Sequence, residues 1–418
     1  MLKKSSNYKI LKKCRLCDSK QIRKVYNFNS IPLGNDLKKT PKSSIDSQKY
    51  PLKLMNCMSC GHFQLSVSIK PKILFAKNYT YLTGITKTFK KHFDQYCKWI
   101  IKKCNLKHSS LVIDIGSNDG TCLKYFKKNK MKVLGIDPAK LPASIANSKG
   151  IRTINKFFNI KTANFIIKKY GHADFVTSHN VLAHTENNKE VFLSIFKMLK
   201  QNGYFCFEIG YFHDVMKKNL FDTIYHEHLD YHHASPLVKF LENIGFSIVD
   251  LSTNNIQGGT LRLLLQKKES LMKRSKKIEK FINNEKEIFK ISKIIDKFKQ
   301  FEQSIIKFNK MVNSAKKKYD TIFAYGSPTK ASLLLMISHL NIGIIKGTFE
   351  DNPLKCNKYI PGTNIKIMNT NTIKEKKPKI IIILAWNFAK EIILKLKEKN
   401  IKGIRVITPL PRPKINIL

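Results

Sequence analysis

The most informative segment of this sequence is a mostly apolar run that ends in a glycine-containing loop and continues into a helix-like stretch. It covers residues 111–126 and reads LVIDIGSNDGTCLKYF. Gly116 and Gly120 allow the backbone to turn tightly and to approach a ligand closely. A second apolar run ends at Asp137, 23 residues after Asp114. An acidic residue at about this distance suits the two hydroxyl groups of a ribose, so the segment predicts a strand–loop–helix unit that binds a nucleotide-like ligand.

The side chains of this loop indicate which ligand that is. Dinucleotide-binding loops use their glycines to seat a pyrophosphate at a helix N-terminus. Asp114 and Asp119 would repel a pyrophosphate, whereas they can hold the ammonium group of an amino acid. S-adenosylmethionine has a ribose, an adenine and an amino-acid tail but no phosphate, and the loop resembles motif I of the class I methyltransferases. The predicted cofactor is therefore S-adenosylmethionine, held by Asp114, Gly116, Asn118, Asp119, Gly120, Asp137 and Asn180.

Four of the nine cysteines form two CxxC pairs, Cys14 with Cys17 and Cys57 with Cys60. Two such pairs supply the four thiolates of a tetrahedral zinc site. The 39 residues between the pairs exceed the spacer of most zinc ribbons, so they contain a small insertion. Because cysteines fill all four positions, the predicted zinc is structural.

The net charge of +48 raises the question of nucleic-acid binding. Only 7 of the 77 basic residues are arginine, although base readers and phosphate clamps favour arginine. Lysine is spread along the whole chain together with abundant Ile and Asn, which is the bias of an AT-rich genome. We therefore do not expect nucleic-acid binding as the main function, while the charge can help to capture an anionic substrate.

The sequence shows no segment that would direct it to a membrane. No apolar run reaches the roughly 18 residues that span a bilayer, and no apolar stretch follows the basic N-terminus as in a secretory signal. The expected location is therefore the cytoplasm.

The chain divides into four predicted parts: a zinc-binding domain at 1–72, a methyltransferase domain at 73–267, a helical linker at 268–318 and a C-terminal α/β domain at 319–418. Strands and helices alternate from residue 109 to 267, which predicts a doubly wound sheet. The predicted fold class is α/β, with a Rossmann-like class I methyltransferase sheet between a zinc-knuckle domain and a small α/β domain. The predicted strands are 111–115, 133–136, 175–178, 204–209, 247–251 and 261–266 in that sheet, and 321–325, 344–349, 380–384 and 403–407 in the C-terminal domain.

Residues 221–233, FDTIYHEHLDYHH, carry an unusual density of polar and aromatic groups. His184 follows another predicted strand, at the edge of the sheet where a ligand crevice is expected. Three interpretations are open. The segment can be an acid–base site with His228 as base and Tyr225, Glu227 and His184 polarising the substrate, a metal site without the HExxH spacing, or a structural hydrogen-bonded cluster.

Three further positions are weaker candidates. Glu208 at a strand end either lines the substrate crevice or is solvated, and Arg262 after a glycine pair either binds part of the substrate or follows a simple turn. In the C-terminal domain, Gly326, Ser327 and Lys330 resemble a phosphate-binding turn at a helix start.

Motifs along almost the whole chain resemble the nucleotide-sugar C-methyltransferases, particularly those that act at C3 of a dTDP-4-keto-deoxysugar. The resemblance implies methyl transfer from S-adenosylmethionine to the carbon next to the ketone, through an enolate formed by a base. The motifs follow one another in the family's order and are the two CxxC knuckles with CGHFQL, then NYTYLTG, DIGSNDGT, GIDPA, HNVLAH, FDTIYHEHLDY, IQGGTLR, AYGSPTKAS and FEDNPLKCNKYIPGT.

Carried over by motif, His228 is similar to the family's base, and Tyr225, Glu227 and His184 are similar to its supporting residues. A tyrosine of NYTYLTG also reaches the site in the family; Tyr79 and Tyr81 both fit, and we favour Tyr79. The implied partner is a nucleotide-sugar substrate, and the chain is expected to be a monomer or a small homo-oligomer. The alternatives are an O- or N-methyltransferase that acts on another small molecule, or a zinc-containing nucleic-acid-binding protein.

Overall fold

The computed structural model describes residues 7–76, 82–399 and 403–418. Tyr79 and Tyr81 lie outside these ranges, so the predicted tyrosine is not placed. Within the ranges the chain forms three larger sheets and a two-stranded ribbon. In the same ranges, no helix combines the length and the apolar character needed to cross a bilayer.

The N-terminal sheet contains the two cysteine pairs at its end. Alternate residues of the segment Lys49–Cys57 are buried, which is the period of a strand with one covered face. The insertion predicted between the cysteine pairs is therefore made of strands and a short helix. The elements are β1 (Tyr8–Ile10), β2 (Ile22–Pro32), α1 (Pro41–Ile45), β3 (Lys49–Cys57), β4 (Phe63–Leu65) and β5 (Val67–Ile69).

The central part is a seven-stranded sheet with helices on both faces, which confirms the predicted doubly wound fold. Its elements are α2 (Lys87–Lys103), β6 (Leu111–Ile115), α3 (Thr121–Lys128), β7 (Lys132–Ile136), α4 (Lys140–Ser148), β8 (Thr153–Ile154), α5 (Ile160–Tyr170), β9 (Ala173–His179), α6 (Asn188–Met198), β10 (Leu199–Gly210), α7 (Phe212–Lys217), β11 (Asp230–Tyr231), α8 (Ala234–Ile244), β12 (Phe246–Asn254) and β13 (Thr260–Lys267).

The strand order of this sheet is β12-β13-β10-β9-β6-β7-β8. The strands from β10 to β8 are parallel, whereas β13 runs antiparallel to both of its neighbours. The direction in which successive strands are added reverses between β6 and β9. The chain first adds β7 and β8 on one side of β6, and then crosses back to add β9 and β10 on the other side. Ligands of open α/β sheets bind at the carboxyl ends of the strands at such a reversal.

The segment with the dense polar cluster crosses from the central part to the N-terminal sheet. β11 does not join the central sheet; it pairs antiparallel with β4, with Asp230 opposite Gln64 and Tyr231 opposite Phe63. Residues 221–233 are therefore held between two sheets.

Two helices connect the central part to the C-terminal part: α9 (Lys276–Ile288) and α10 (Ile291–Lys318). One face of α10 is apolar at intervals of three and four residues, as an amphipathic helix requires. This face packs into a core shared by the N-terminal sheet, residues 221–231 and the C-terminal sheet. The buried residues of α10 are Ile294, Phe298, Phe301, Ile305, Phe308, Val312 and Ala315.

The C-terminal part is a second α/β sheet with the order β16-β17-β15-β14-β18-β19-β20. The predicted strand at residues 344–349 is mostly wrong, because Ile344 and Ile345 hydrogen-bond back to Asn341 in a turn and pairing begins only at Thr348. The elements are β14 (Ile322–Tyr325), α11 (Ala331–Ile337), β15 (Thr348–Glu350), β16 (Tyr359–Ile360), β17 (Ile365–Asn369), α12 (Ile373–Lys376), β18 (Ile380–Ile383), α13 (Ala389–Glu398), β19 (Arg405–Thr408) and β20 (Lys414–Ile417).

Candidate active site and zinc site

The four cysteines of the CxxC pairs converge on one point. The Sγ atoms of Cys14 and Cys60 are 3.6 Å apart, as are those of Cys17 and Cys57. All four sulfur atoms lie within 4.8 Å of one another. Sulfur atoms bound at about 2.3 Å to a tetrahedral zinc ion lie about 3.8 Å apart, so the four thiolates fit zinc. The chain therefore has a structural zinc site with all four positions filled by protein.

The loop after β6 contains four of the predicted cofactor residues, Gly116, Asn118, Asp119 and Gly120, and is held from the tip of β7. Asp137 Oδ2 accepts a hydrogen bond from the backbone N–H of Asn118 at 2.8 Å. Gly116 and Gly120 have φ angles of +73° and +74°, which side chains rarely allow. A Cβ atom on Gly116 would also lie 2.2 Å from the side chain of Val181. The glycine positions thus follow from both backbone conformation and packing.

Asp114 provides an independent test of whether this loop fits S-adenosylmethionine. Its side chain is 2 % exposed, and Oδ1 has no hydrogen-bond partner among the residues that the structure describes. Burial, with Asp137 close by, raises the pKa of its carboxyl group well above the ordinary value. A buried acceptor of this kind suits the ammonium group of an amino-acid tail, whose charge favours the ionised form. The residues therefore fit this cofactor.

The side chains of Asn118 and Asp119 have a role that the sequence did not predict. Asn118 Oδ1 accepts from the backbone N–H of Thr83 at 2.9 Å, and Asp119 Oδ2 accepts from that of Gly84 at 3.1 Å. They anchor the segment before α2 over the cofactor loop.

Asn180 lies at the end of β9, with φ +56°, and its backbone N–H donates to the carbonyl of Glu208 at 2.7 Å.

His228 is a neutral imidazole whose tautomer follows from its partners. Nδ1 is 2.9 Å from the carbonyl oxygen of Thr223. A carbonyl only accepts, so Nδ1 carries the hydrogen and Nε2 carries the lone pair. The hydroxyl of Tyr225 donates to Nε2 at 3.0 Å. Burial, together with the nearby His184, lowers the pKa of His228 to about 3, so the ring is unprotonated at neutral pH.

Glu227 and His184 lie beside this pair. The His184 ring is centred 4.9 Å from that of His228, and its Nδ1–H donates to the backbone carbonyl of Glu227 at 2.5 Å. The Glu227 carboxyl accepts from Asn35 Nδ2 at 2.8 Å. Burial raises the pKa of this carboxyl group to about 8. The structure thus brings the side chains of His184, Tyr225 and His228 together, and places the Glu227 backbone against His184 while its carboxyl group is held by Asn35.

Two of the other histidines of the segment have structural partners, and the third, His232, is buried with its ring centred 5.4 Å from that of His62. His226 Nε2 lies 3.2 Å from the backbone carbonyls of Tyr50 and Pro51, and His233 pairs with Glu285. Across the described ranges, the two groups with the geometry to hold a metal ion are the zinc cysteines and His92, His179 and Glu208, and neither includes a residue of 221–233. The metal interpretation of that segment therefore has no geometric support.

Glu208 and Arg262 bind each other, not solvent. They are opposite one another on β10 and β13, and Arg262 Nε donates to Glu208 Oε1 at 2.7 Å. Glu208 is 2 % exposed, and Oε2 lies 2.7 Å from His92 and 3.0 Å from His179. The alternative that Glu208 is solvated is therefore wrong, and Arg262 is paired with it.

The predicted phosphate-binding turn after β14 is also wrong. The backbone N–H of Ser327 donates to Glu350 Oε2 at 2.8 Å, so a carboxylate already occupies it. The Lys330 ammonium lies 3.5 Å from Asp222 and 3.2 Å from the ring centre of Trp386. These contacts instead fasten the start of residues 221–233 to the C-terminal part.

Replacing Asp137 with alanine should weaken S-adenosylmethionine binding by about 10- to 100-fold, because a hydrogen bond of a charged group contributes about 1.5–3 kcal/mol. Isothermal titration with S-adenosylhomocysteine measures this change. Asp94→Ala, on the exposed side of α2, is the matched control and should leave the dissociation constant unchanged. Equal affinities for the two variants would remove Asp137 from the cofactor site.

Three family models match the chain in succession. A zinc binding domain model covers residues 14–75, a methyltransferase domain model covers residues 89–251, and a C-methyltransferase C-terminal domain model covers residues 255–411. C-methyltransferase NovU of Streptomyces niveus is 29% identical to this chain over 404 residues, which is 96% of each protein.

Solved structures resemble part of the chain. Magnesium protoporphyrin IX methyltransferase (ChlM) of Synechocystis PCC 6803 with bound S-adenosylmethionine is 16% identical and has a TM-score of 0.33, over 43% of this chain and 79% of its own. An S-adenosylmethionine-dependent methyltransferase of Clostridium acetobutylicum ATCC 824 is 14% identical and has a TM-score of 0.35, over 42% of this chain and 91% of its own.

Proposed function

Because this chain belongs to the C-methyltransferases, with the zinc-binding, methyltransferase and C-terminal parts in succession, we propose that it methylates a nucleotide-linked 4-keto-deoxysugar at the carbon next to the ketone. The methyl donor of the enzyme is S-adenosylmethionine. The motif resemblance supports the substrate class, and the net charge of +48 suits a substrate with a diphosphate. The observation that carries the proposal is the hydrogen-bonded, half-buried pair of His228 and Tyr225, since methylation at carbon needs a base beside the ketone.

His228 acts as this base. The proton on the carbon next to the ketone passes to Nε2, once the Tyr225 hydroxyl turns from Nε2 toward the substrate. The electron pair of the broken C–H bond then moves toward the ketone oxygen to form the enolate. A neutral imidazole with a low pKa is a weak base, so the reaction depends on stabilisation of the negative oxygen.

Glu227 provides that stabilisation in its acid form. With a pKa of about 8 the carboxyl group is mostly protonated at neutral pH and can donate a hydrogen bond to the developing enolate oxygen. When bound, S-adenosylmethionine supplies the electrophilic methyl group that the enolate carbon takes up. Each turnover releases one proton to solvent, and the reactive acid form of Glu227 is lost as the pH rises through about 8.

Mass spectrometry of the protein incubated with S-adenosylmethionine and a panel of dTDP-4-keto-6-deoxysugars should show a product heavier by one CH₂ group. Fragmentation should place the methyl group on a ring carbon next to the ketone, because the site has a base for that carbon. Without the methyl donor, the same substrate should exchange its hydrogen at that carbon in D₂O.

Two results would contradict the proposal. A methyl group on oxygen or nitrogen would show that the base-and-enolate mechanism is wrong. No mass gain with any sugar of the panel would show that the substrate class is wrong.

A further inference from the structure

Two consecutive hydrogen bonds connect the N-terminal, central and C-terminal parts of the molecule. They run from Thr329 through Asn35 to Glu227. Asn35, just after β2, donates from Nδ2 to Glu227 Oε1 at 2.8 Å. Thr329, in the loop between β14 and α11, donates its hydroxyl to Asn35 Oδ1 at 2.8 Å. We propose that Asn35 is a positioning residue that fixes the Glu227 carboxyl group for catalysis and is itself fixed by Thr329. The inference rests on the proposed function of Glu227 as the acid.

The backbone beside Asn35 is pressed against the C-terminal part. A Cβ atom on Gly34 would lie 1.9 Å from the carbonyl oxygen of Thr329, so the approach requires glycine. The loop that carries Thr329 is held in turn, because both the N–H and the hydroxyl of Ser327 donate to Glu350 Oε2, at 2.8 and 2.6 Å. The Asn35 side chain is therefore clamped at both ends.

This clamp selects which oxygen of Glu227 carries the acid proton. Oδ1 of Asn35 accepts the Thr329 hydroxyl, so the amide presents an N–H to the carboxyl group. Oε1 of Glu227 then acts as an acceptor, and the proton of the acid form resides on Oε2. If the Asn35 amide rotated, its oxygen would face the carboxyl group and the proton would no longer be confined to Oε2. The Thr329 hydroxyl prevents this rotation by donating to Asn35 Oδ1.

The charged and titratable groups around Glu227 come from several elements. Lys355 is half-buried, donates to the carbonyl of Ser327 at 2.9 Å and lowers the pKa of Glu227 by its charge. Asp36 shares with Glu227 a small cavity of about 20 Å³, and the His184 ring donates to the Glu227 carbonyl. Burial raises the pKa of Glu227, and the Asn35 hydrogen bond lowers it. Loss of Asn35 should thus raise that pKa further.

Isotope-edited difference infrared spectroscopy of the resting protein tests the proposal. Glu227→Gln identifies the carboxyl band of Glu227, and the pH titration of that band is then followed in Asn35→Ala and Thr329→Val. We expect the midpoint to rise in Asn35→Ala, and the band to broaden in both variants because the carboxyl group is less constrained. Asn27→Ala, at an exposed position of β2, is the control and should match wild type.

Turnover measurements with the proposed substrate provide the second readout. Asn35→Ala should lower kcat by about 10- to 100-fold with a small change in KM, since misplacement of a catalytic group costs this much. The fall of kcat at high pH, which follows the ionisation of Glu227, should move to higher pH. Thr329→Val should lower kcat by about fivefold in the same direction, as expected for one neutral hydrogen bond.

A merely structural role would lower kcat without moving the band or the fall of kcat at high pH. An unchanged band and an unchanged pH dependence of kcat in Asn35→Ala would therefore overturn the inference. If Asn35→Ala does not fold, the infrared band of Glu227 and the pH dependence of kcat in Thr329→Val test the inference in the same way. The infrared measurement needs no substrate, so it separates failure of this inference from failure of the proposed function.

Discussion

Replacing His228 with glutamine should lower kcat by about 10²- to 10⁴-fold, the usual contribution of general acid–base catalysis. Glutamine retains an N–H donor near the Thr223 carbonyl, which accepts from Nδ1 in the native structure, but it has no lone pair on nitrogen that can take a proton. His228 is not among the predicted cofactor-binding residues. The dissociation constant of S-adenosylmethionine should therefore stay within about twofold, because the lost interaction acts only on the transition state.

Solvent hydrogen exchange shows whether the lost activity reflects the missing base. In D₂O, His228→Gln should not exchange the hydrogen next to the ketone, whereas Tyr225→Phe should retain slower exchange because it keeps the imidazole. His172→Gln is the same substitution at an exposed position and should behave as wild type. Turnover of His228→Gln within about threefold of wild type would assign proton removal to another residue.

Features encoded in short contiguous segments could be predicted from the sequence. The apolar run, the two glycines and the acidic strand end predict β6, its loop and the tip of β7, and the structure has these elements at the expected positions. Each of these depends on local backbone chemistry, such as the positive φ of Gly116. The CxxC pairs could be read in the same way, because a ligand pair two residues apart defines half of a zinc site.

Contacts that depend on strand pairing, or on how one part of the molecule packs against another, could not be predicted. Asn35 lies 192 residues from Glu227 in the sequence, and its surroundings, PLGND, are typical of an ordinary turn. Glu208 and Arg262 become partners only through the pairing of β10 with β13. The strand predicted at residues 344–349 is mostly absent for a related reason. Its apolar sequence does not reveal that the N–H groups of Ile344 and Ile345 hydrogen-bond to Asn341 in a turn.

Removal of zinc should abolish activity while leaving S-adenosylmethionine binding intact. Arg15, between the first two cysteines, donates to Asp230 at 2.9 Å, and His62, just after the second pair, lies 2.8 Å from the same carboxylate. Although burial raises the pKa of Asp230, Arg15 and His62 hold it well below the ordinary value, so the carboxylate stays charged. Asp230 is two residues after His228 and begins β11, which pairs with β4. The zinc knuckles therefore hold the end of the catalytic segment.

Cys17→Ser tests this dependence, since a structural zinc ion contributes on the order of 10 kcal/mol to the folding of small domains. The variant should lose zinc by elemental analysis, show faster amide hydrogen exchange in β4 and β11, and lose turnover. The central sheet carries the cofactor loop, so the dissociation constant of S-adenosylhomocysteine should change by no more than about threefold. Cys356→Ser, at a half-buried cysteine of the C-terminal part, is the control and should retain zinc and activity. Full turnover in a zinc-free Cys17→Ser protein would show that the knuckles do not support the catalytic segment, and loss of cofactor binding would show that they support the central sheet as well.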